Sequence, residues 1–133
     1  MKLDDKRIYR ILLLLYIGAV VMLCLMNPES LPSVERLYFG LPADKIVHFI
    51  MFFPYPVLAG LSFMHQDFSI LRNLTILLVL VVAGAGMAYG TEVLQGQTGY
   101  RSYDLTDFAA DMTGMAAGIA VTLIFTIIQK IRK

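Results

Sequence analysis

Four long apolar runs, at 8–26, 46–64, 74–94 and 105–128, decide what this chain can fold into. A helix that crosses a bilayer needs about 20 consecutive apolar residues, and each run is near that length. Lipid offers no hydrogen bonds to the backbone, so such runs are read as helices whose peptide groups pair internally. The expected architecture is all-α: a polytopic four-helix transmembrane bundle with helices at about 8–26, 44–64, 71–95 and 104–129. One domain, 1–133, accounts for the length.

Composition agrees. Hydrophobic residues make up 58% and charged residues 16%, against about 25% charged in a typical soluble domain. Mean hydropathy is +0.70. A net charge of +1 gives no reason to expect nucleic acid. One cysteine, Cys24, rules out an intramolecular disulfide. The first run starts with Lys6, Arg7 and Arg10, as a signal peptide would. It is too long for a signal core, however, and Leu23-Cys24-Leu25-Met26 lacks the small-residue cleavage pattern. An uncleaved first helix is expected.

Lysine and arginine set the expected orientation. With the N-terminus inside, the inner side carries Lys2, Lys6, Arg7, Arg10, Arg72, Lys130, Arg132 and Lys133, and the outer side only Arg36, Lys45 and Arg101. The positive-inside bias therefore favours both termini in the cytoplasm. Asn27-Pro28 to Pro32 ends the first helix. Residues 34–39 form an amphipathic piece that reads equally as an interfacial segment or as ordinary loop. Residues 65–69 are a short inner turn, and 95–103 a short outer loop.

On this topology three segments deliver polar groups to one leaflet. Asp44, Lys45 and His48 open the second helix. Glu92 and Gln95 close the third. Arg101, Asp104, Asp107 and Asp111 lead into the fourth. Ionisable groups at membrane depth are costly and normally face a bundle interior, so they propose a functional site. Asp104, Asp107, Asp111, Gly114 and Gly118 advance in steps of 3 and 4, which puts them on one side of a helix. Gly114 and Gly118, like Gly86 and Gly90, have the spacing that permits close helix contact, and the two pairs are expected to meet. Pro54 and Pro56 should kink the second helix midway, freeing the carbonyl of Ile50.

Each residue also has a plainer reading. Asp44 and Asp104 precede apolar runs and suit helix N-caps. His48 can be an interfacial anchor, Arg101 a lipid-phosphate anchor, and Glu92 with Arg101 a structural pair. Asp107 and Asp111 resist such readings. Two carboxylates one turn apart in an apolar helix repel and need a cation, a proton or a metal. Asp107 is expected to be ionised against Arg101 or His48, and Asp111 to be protonated or hydrogen-bonded. His48, Glu92, Asp107 and Asp111 supply a nitrogen and several oxygens, a divalent-metal set that is weakly specified in sequence, with no His-x-x-x-His and no cysteine pair.

Asp44-Lys45-Ile46-Val47-His48-Phe49, Glu92-Val93-Leu94-Gln95, Arg101, Asp104, Asp107 and Gly114-x-x-x-Gly118 together resemble the VanZ-like family of bacterial membrane proteins. The resemblance spans roughly 28–120. One departure stands out: Asp111 occupies an Asn position of the family pattern, so Asp111→Asn is expected to be tolerated and Asp107→Asn is not. The family takes its name from a member linked to teicoplanin resistance. The resemblance implies a multi-pass protein of the bacterial cytoplasmic membrane, with its polar pocket outside.

The function expected on these grounds is binding or processing of an envelope amphiphile, such as a lipid-linked phosphate or cell-wall precursor, with a link to glycopeptide susceptibility. Membrane lipids, a lipid-linked precursor or a glycopeptide are the expected partners. His48, Glu92 and Asp107 are the candidate catalytic acid–base residues. Asp44, Lys45, Gln95, Arg101, Asp104 and Asp111 are candidate ligand contacts, with Lys45 and Arg101 holding an anion. Two rival functions are a non-catalytic binding or shielding protein and a small ion- or proton-linked transporter.

Overall fold

The structure is a computed structural model and describes residues 3–26, 37–38, 41–99 and 102–132. Helix α1 spans Leu3–Leu25. A two-residue antiparallel hairpin follows, β1 (Leu37–Tyr38) against β2 (Leu41–Pro42), in the register Leu37↔Pro42 and Tyr38↔Leu41. Part of the amphipathic piece at 34–39 is thus a strand; Val34, Glu35, Arg36 and Phe39 lie outside the described residues. Helices α2 (Ala43–Phe52), α3 (Pro54–Phe63), α4 (Ile70–Gln97) and α5 (Leu105–Ile131) complete the chain.

The expected break in the second span is where the prolines put it. Phe53 keeps helical angles, φ −59° and ψ −46°, between α2 and α3. Pro54 has no N–H to give Ile50, and Pro56 none to give Phe52, so the ladder is interrupted while the axis continues. Taken together, Ala43–Phe63 is one span, and the described residues contain four helices long and apolar enough to cross a membrane. The protein is an all-α four-helix membrane bundle.

The helix starts follow local chemistry. Ser69 caps α4 by accepting the Arg72 N–H, and Asp104 caps α5 by accepting the Thr106 N–H. Asp44 does not cap. Pro42 holds the cap position of α2 with no side-chain bond, and Asp44 falls in the first turn, where a negative charge suits the helix dipole.

Two small apolar clusters bind the spans together. Leu13, Tyr55, Ala59 and Met115 form one; Val20, Cys24, Phe52 and Ala88 form the other. Many leucines, valines and isoleucines on the outer faces remain exposed, among them Leu14, Leu71, Val79 and Ile124. With lipid tails as apolar as leucine, the bundle is held by close packing and internal polar bonds. The Tyr55 hydroxyl donates to the Leu80 carbonyl at 2.9 Å.

Gly114 and Gly118 make the closest approach, and their partner corrects the sequence expectation. A Cβ on Gly114 would lie 2.2 Å from the Phe49 carbonyl oxygen, and one on Gly118 would lie 2.2 Å from that of Phe53. The seam therefore joins α5 to the broken second span. Gly86 and Gly90 have nothing within 4 Å of an added Cβ, so they take no part in it. Pro56, whose ring also meets the Gly118 position, supplies a flat surface that a regular side chain would not.

Candidate functional site

The seam sets the site. By bringing α5 against the backbone at Phe49, it places Asp111, one turn before Gly114, beside His48, one residue before Phe49. The His48 Nδ1 lies 2.8 Å from Asp111 Oδ1 and 4.0 Å from Glu92 Oε1. On the ring's other side, Nε2 is 3.6 Å from Asp107 Oδ2. All of these carboxylates reach one imidazole from two helices other than its own. His48, Glu92 and Asp111 are buried, the last two with no exposed surface.

Lys45, one turn earlier on α2, sits above this core. Its Nζ lies 3.0 Å from Asp44 Oδ2 and 2.9 Å from Asp104 Oδ2, and it also bonds Asp107 Oδ1. Exposure falls in step with depth. Side chains of Asp44 and Asp104 are 51% and 42% exposed, Lys45 21%, Asp107 14%, and His48 3%. The site is thus a graded funnel of charge, from the end of the bundle to its interior. Asp107 joins the two levels, one oxygen on the lysine and the other facing the histidine. Asp104 lies just outside the spans. The Lys45 ammonium, with the N–H and hydroxyl of Thr106, holds its carboxyl down at about 2.

Among the described residues, three buried polar atoms have no hydrogen-bond partner: Glu92 Oε1, Asp111 Oδ2 and the Tyr16 hydroxyl. Buried polar atoms are normally paired, and each exception asks for an explanation. The second oxygen of Glu92 is held, since the Asp104 backbone N–H donates to Oε2 at 3.3 Å. His48, Glu92 and Asp111 each turn one ligating atom into a space where all three lie within 4.8 Å of one another.

The structure therefore gathers His48, Glu92, Asp107, Asp111, Lys45, Asp44 and Asp104 at one end of the bundle. Arg101 lies outside the described residues, as do the pairings expected for it. Among the described residues the cation nearest Asp107 is Lys45, and Asp111 is hydrogen-bonded, to His48. Gln95 is buried and its amide donates to the Cys24 carbonyl at 2.9 Å; this bond ties α4 to α1. That contribution of α1 was invisible in sequence, because a backbone acceptor carries no residue signature. Tyr16 was missed for a related reason: one tyrosine in a long apolar run looks like packing.

A model of the family described as VanZ/LLP1 matches residues 8–126. Searches of curated proteins and of solved structures return no match.

Proposed function

The chain belongs to the VanZ/LLP1 family, and from that premise we propose that its polar end faces the outer leaflet of a bacterial cytoplasmic membrane. There it binds or processes an envelope amphiphile, of the class of lipid-linked phosphates and cell-wall precursors, with a bearing on glycopeptide susceptibility. The observation that carries the reading is the funnel itself. Seven ionisable side chains from α2, α4, α5 and the turn before α5 meet at one end of the helix bundle.

A packed bundle does not need such a cluster for stability, since burying charge costs free energy unless every group is matched. A ligand with an apolar tail and a charged head suits the surroundings. The tail has the lipid-facing leucines and valines, and the head has Lys45 and the acid–base pair formed by His48 with Asp107 or Glu92. Lys45 alone is a poor anion trap, because Asp44, Asp104 and Asp107 already surround it. An incoming phosphate therefore needs one of those carboxylates to yield, or needs a further cation.

The test is binding of a short-chain polyprenyl phosphate to the full chain in mild detergent, compared with His48→Ala and Lys45→Met. Tighter binding by the wild type than by either variant, with all three equally folded, supports the reading. Equal binding by all three overturns it.

A further inference from the structure

Glu92 Oε1 and Asp111 Oδ2 are buried oxygens with no donor, and they are close to the same imidazole. Around Lys45 carboxylates outnumber cations by three to one. At the deeper level Glu92 and Asp111 share His48. We propose that His48, Glu92 and Asp111 form a divalent-metal site of the zinc type, with Asp107 as the carboxylate that orients the histidine.

Geometry supports each part. A tetrahedral zinc ion takes histidine nitrogen and carboxylate oxygen at about 2.0–2.2 Å, so its ligand atoms lie on the order of 3.3 Å apart. Here the nitrogen stands 2.8 Å from one carboxylate oxygen and 4.0 Å from the other, which brackets that separation. Small side-chain shifts reach it. The outer atoms of Glu92 and His48 already face partners. Glu92 Oε2 accepts the Asp104 N–H, which leaves Oε1 as the coordinating atom. His48 Nε2 faces Asp107 Oδ2, the arrangement in which a second carboxylate fixes the tautomer of a ligating histidine. Asp107 is itself anchored on Lys45.

Proton balance is simple. Metal displaces the proton that His48 Nδ1 shares with Asp111 Oδ1, which is released to solvent, and the imidazole keeps its one proton on Nε2 toward Asp107. Two carboxylates then neutralise a dication, so the interior carries no net charge. One nitrogen and two oxygens, with no thiolate, suit zinc or manganese over copper(I). Three protein ligands leave a position for water or for a phosphate oxygen. The metal is thus the further cation that a phosphate head would meet beside Lys45. Only this last point rests on the amphiphile reading; metal binding itself does not.

The experiment uses untagged full-length protein in detergent, stripped with a chelator, reloaded with Zn²⁺ and desalted. Zinc is measured by mass spectrometry. A parallel sample takes Co²⁺, whose visible absorption reports nitrogen ligation and coordination number. The wild type should retain zinc at one ion per chain, and its cobalt spectrum should be intense and tetrahedral. Glu92→Gln and Asp111→Asn should each lose at least about 100-fold in affinity, and Asp107→Asn about 10–100-fold. Asp111→Asn then ranks above Asp107→Asn, the reverse of the order expected from sequence. Gel filtration and thermal melts show which variants are folded, and Glu92→Gln, nearly isosteric, is the deciding one. Zinc retention equal in wild type and folded Glu92→Gln, or a weak octahedral cobalt spectrum unchanged by His48→Ala, overturns the site in favour of bound water. Metal binding without polyprenyl phosphate binding leaves this inference standing and removes the proposed function. Metal-independent phosphate binding with no retained zinc does the opposite.

Discussion

At one end of the bundle Lys6 and Lys130 give their ammonium protons to backbone carbonyls; at the other, Lys45 is shared by three carboxylates. Lys6 is buried, donates to the Leu61 carbonyl at 2.8 Å and bonds that of Met64 as well. These acceptors lie where α3 stops and its last carbonyls lose their helical partners. Lys130 serves the Gln66 and Phe68 carbonyls in the next turn. Asn73 and His65 exchange two bonds, side chain to backbone. Thr122 and Thr126 bond carbonyls of their own helix. A cavity of about 330 Å³, lined by Tyr9, Gly60, His65, Asn73 and Thr122 among others, lies at this end, yet its buried polar groups are paired. The lesson is that burial of charge does not by itself mark function. The Lys6 end buries charge with its partners supplied by the fold. The His48 end buries carboxylate oxygens that the fold leaves unmatched.

Gly114→Leu should have the largest effect. Its side chain would have to displace the Phe49 backbone, and overpacking of this kind costs about 1–3 kcal/mol or more. The His48 end should fail to assemble, seen as lost monodisperse yield and lost ligand binding together. Normal yield and binding would show that α2 and α5 do not meet as described. Lys6→Met should come next. It strands two carbonyls at the end of α3 and should cost about 1–3 kcal/mol of stability, with binding at the His48 end unchanged once the protein is folded. A loss of binding without a fall in melting temperature would make the Lys6 end functional.

Asp104→Asn should give a smaller effect that depends on pH. Asparagine caps a helix about as well as aspartate, so the change isolates the ion pair with Lys45. The Asp104 carboxyl titrates at about 2 in the folded chain against an ordinary 3.8. A lowered folded value means that stabilisation is full above 3.8 and is lost as pH falls through about 2. The gap in melting temperature between wild type and Asp104→Asn should therefore close on acidification. With both groups partly exposed, it should correspond to under about 1 kcal/mol. A gap constant with pH would mean the pair contributes nothing. Smallest of all, Gly86→Ala should be neutral to slightly stabilising, since an added methyl meets nothing and alanine is the better helix former. A clear loss of folded yield would show that Gly86 is packed after all, against a neighbouring molecule or lipid.

The spans were legible because lipid forces backbone pairing onto any long apolar run. The break at Phe53 was legible because proline chemistry is local. The shared face from Asp104 to Gly118 was legible because helix periodicity is fixed. What the glycines touch was not, since small-residue spacing says that a helix comes close but not which one. Gln95 looked like a ligand contact until its partner, a backbone carbonyl in α1, was on view. Lys6 looked like one more charge in a basic N-terminus, because only tertiary contact reveals that it closes α3. The sequence also ranked Asp107 as the critical carboxylate, whereas the fold sets Asp111 deeper, against Nδ1 of His48.

The most direct measurement is the melting temperature of metal-stripped protein carrying Glu92→Gln, beside Lys6→Met. A site kept for function at the expense of stability should gain when its unmatched charge is removed. Glutamine keeps the shape of Glu92, retains an acceptor for the Asp104 N–H, and replaces the unpartnered Oε1 with a group that can donate. Glu92→Gln is expected to raise the melting temperature of the stripped protein while abolishing zinc retention, and Lys6→Met to lower it. If Glu92→Gln instead lowers the melting temperature as Lys6→Met does, Glu92 is matched within the fold and the distinction between the two ends collapses.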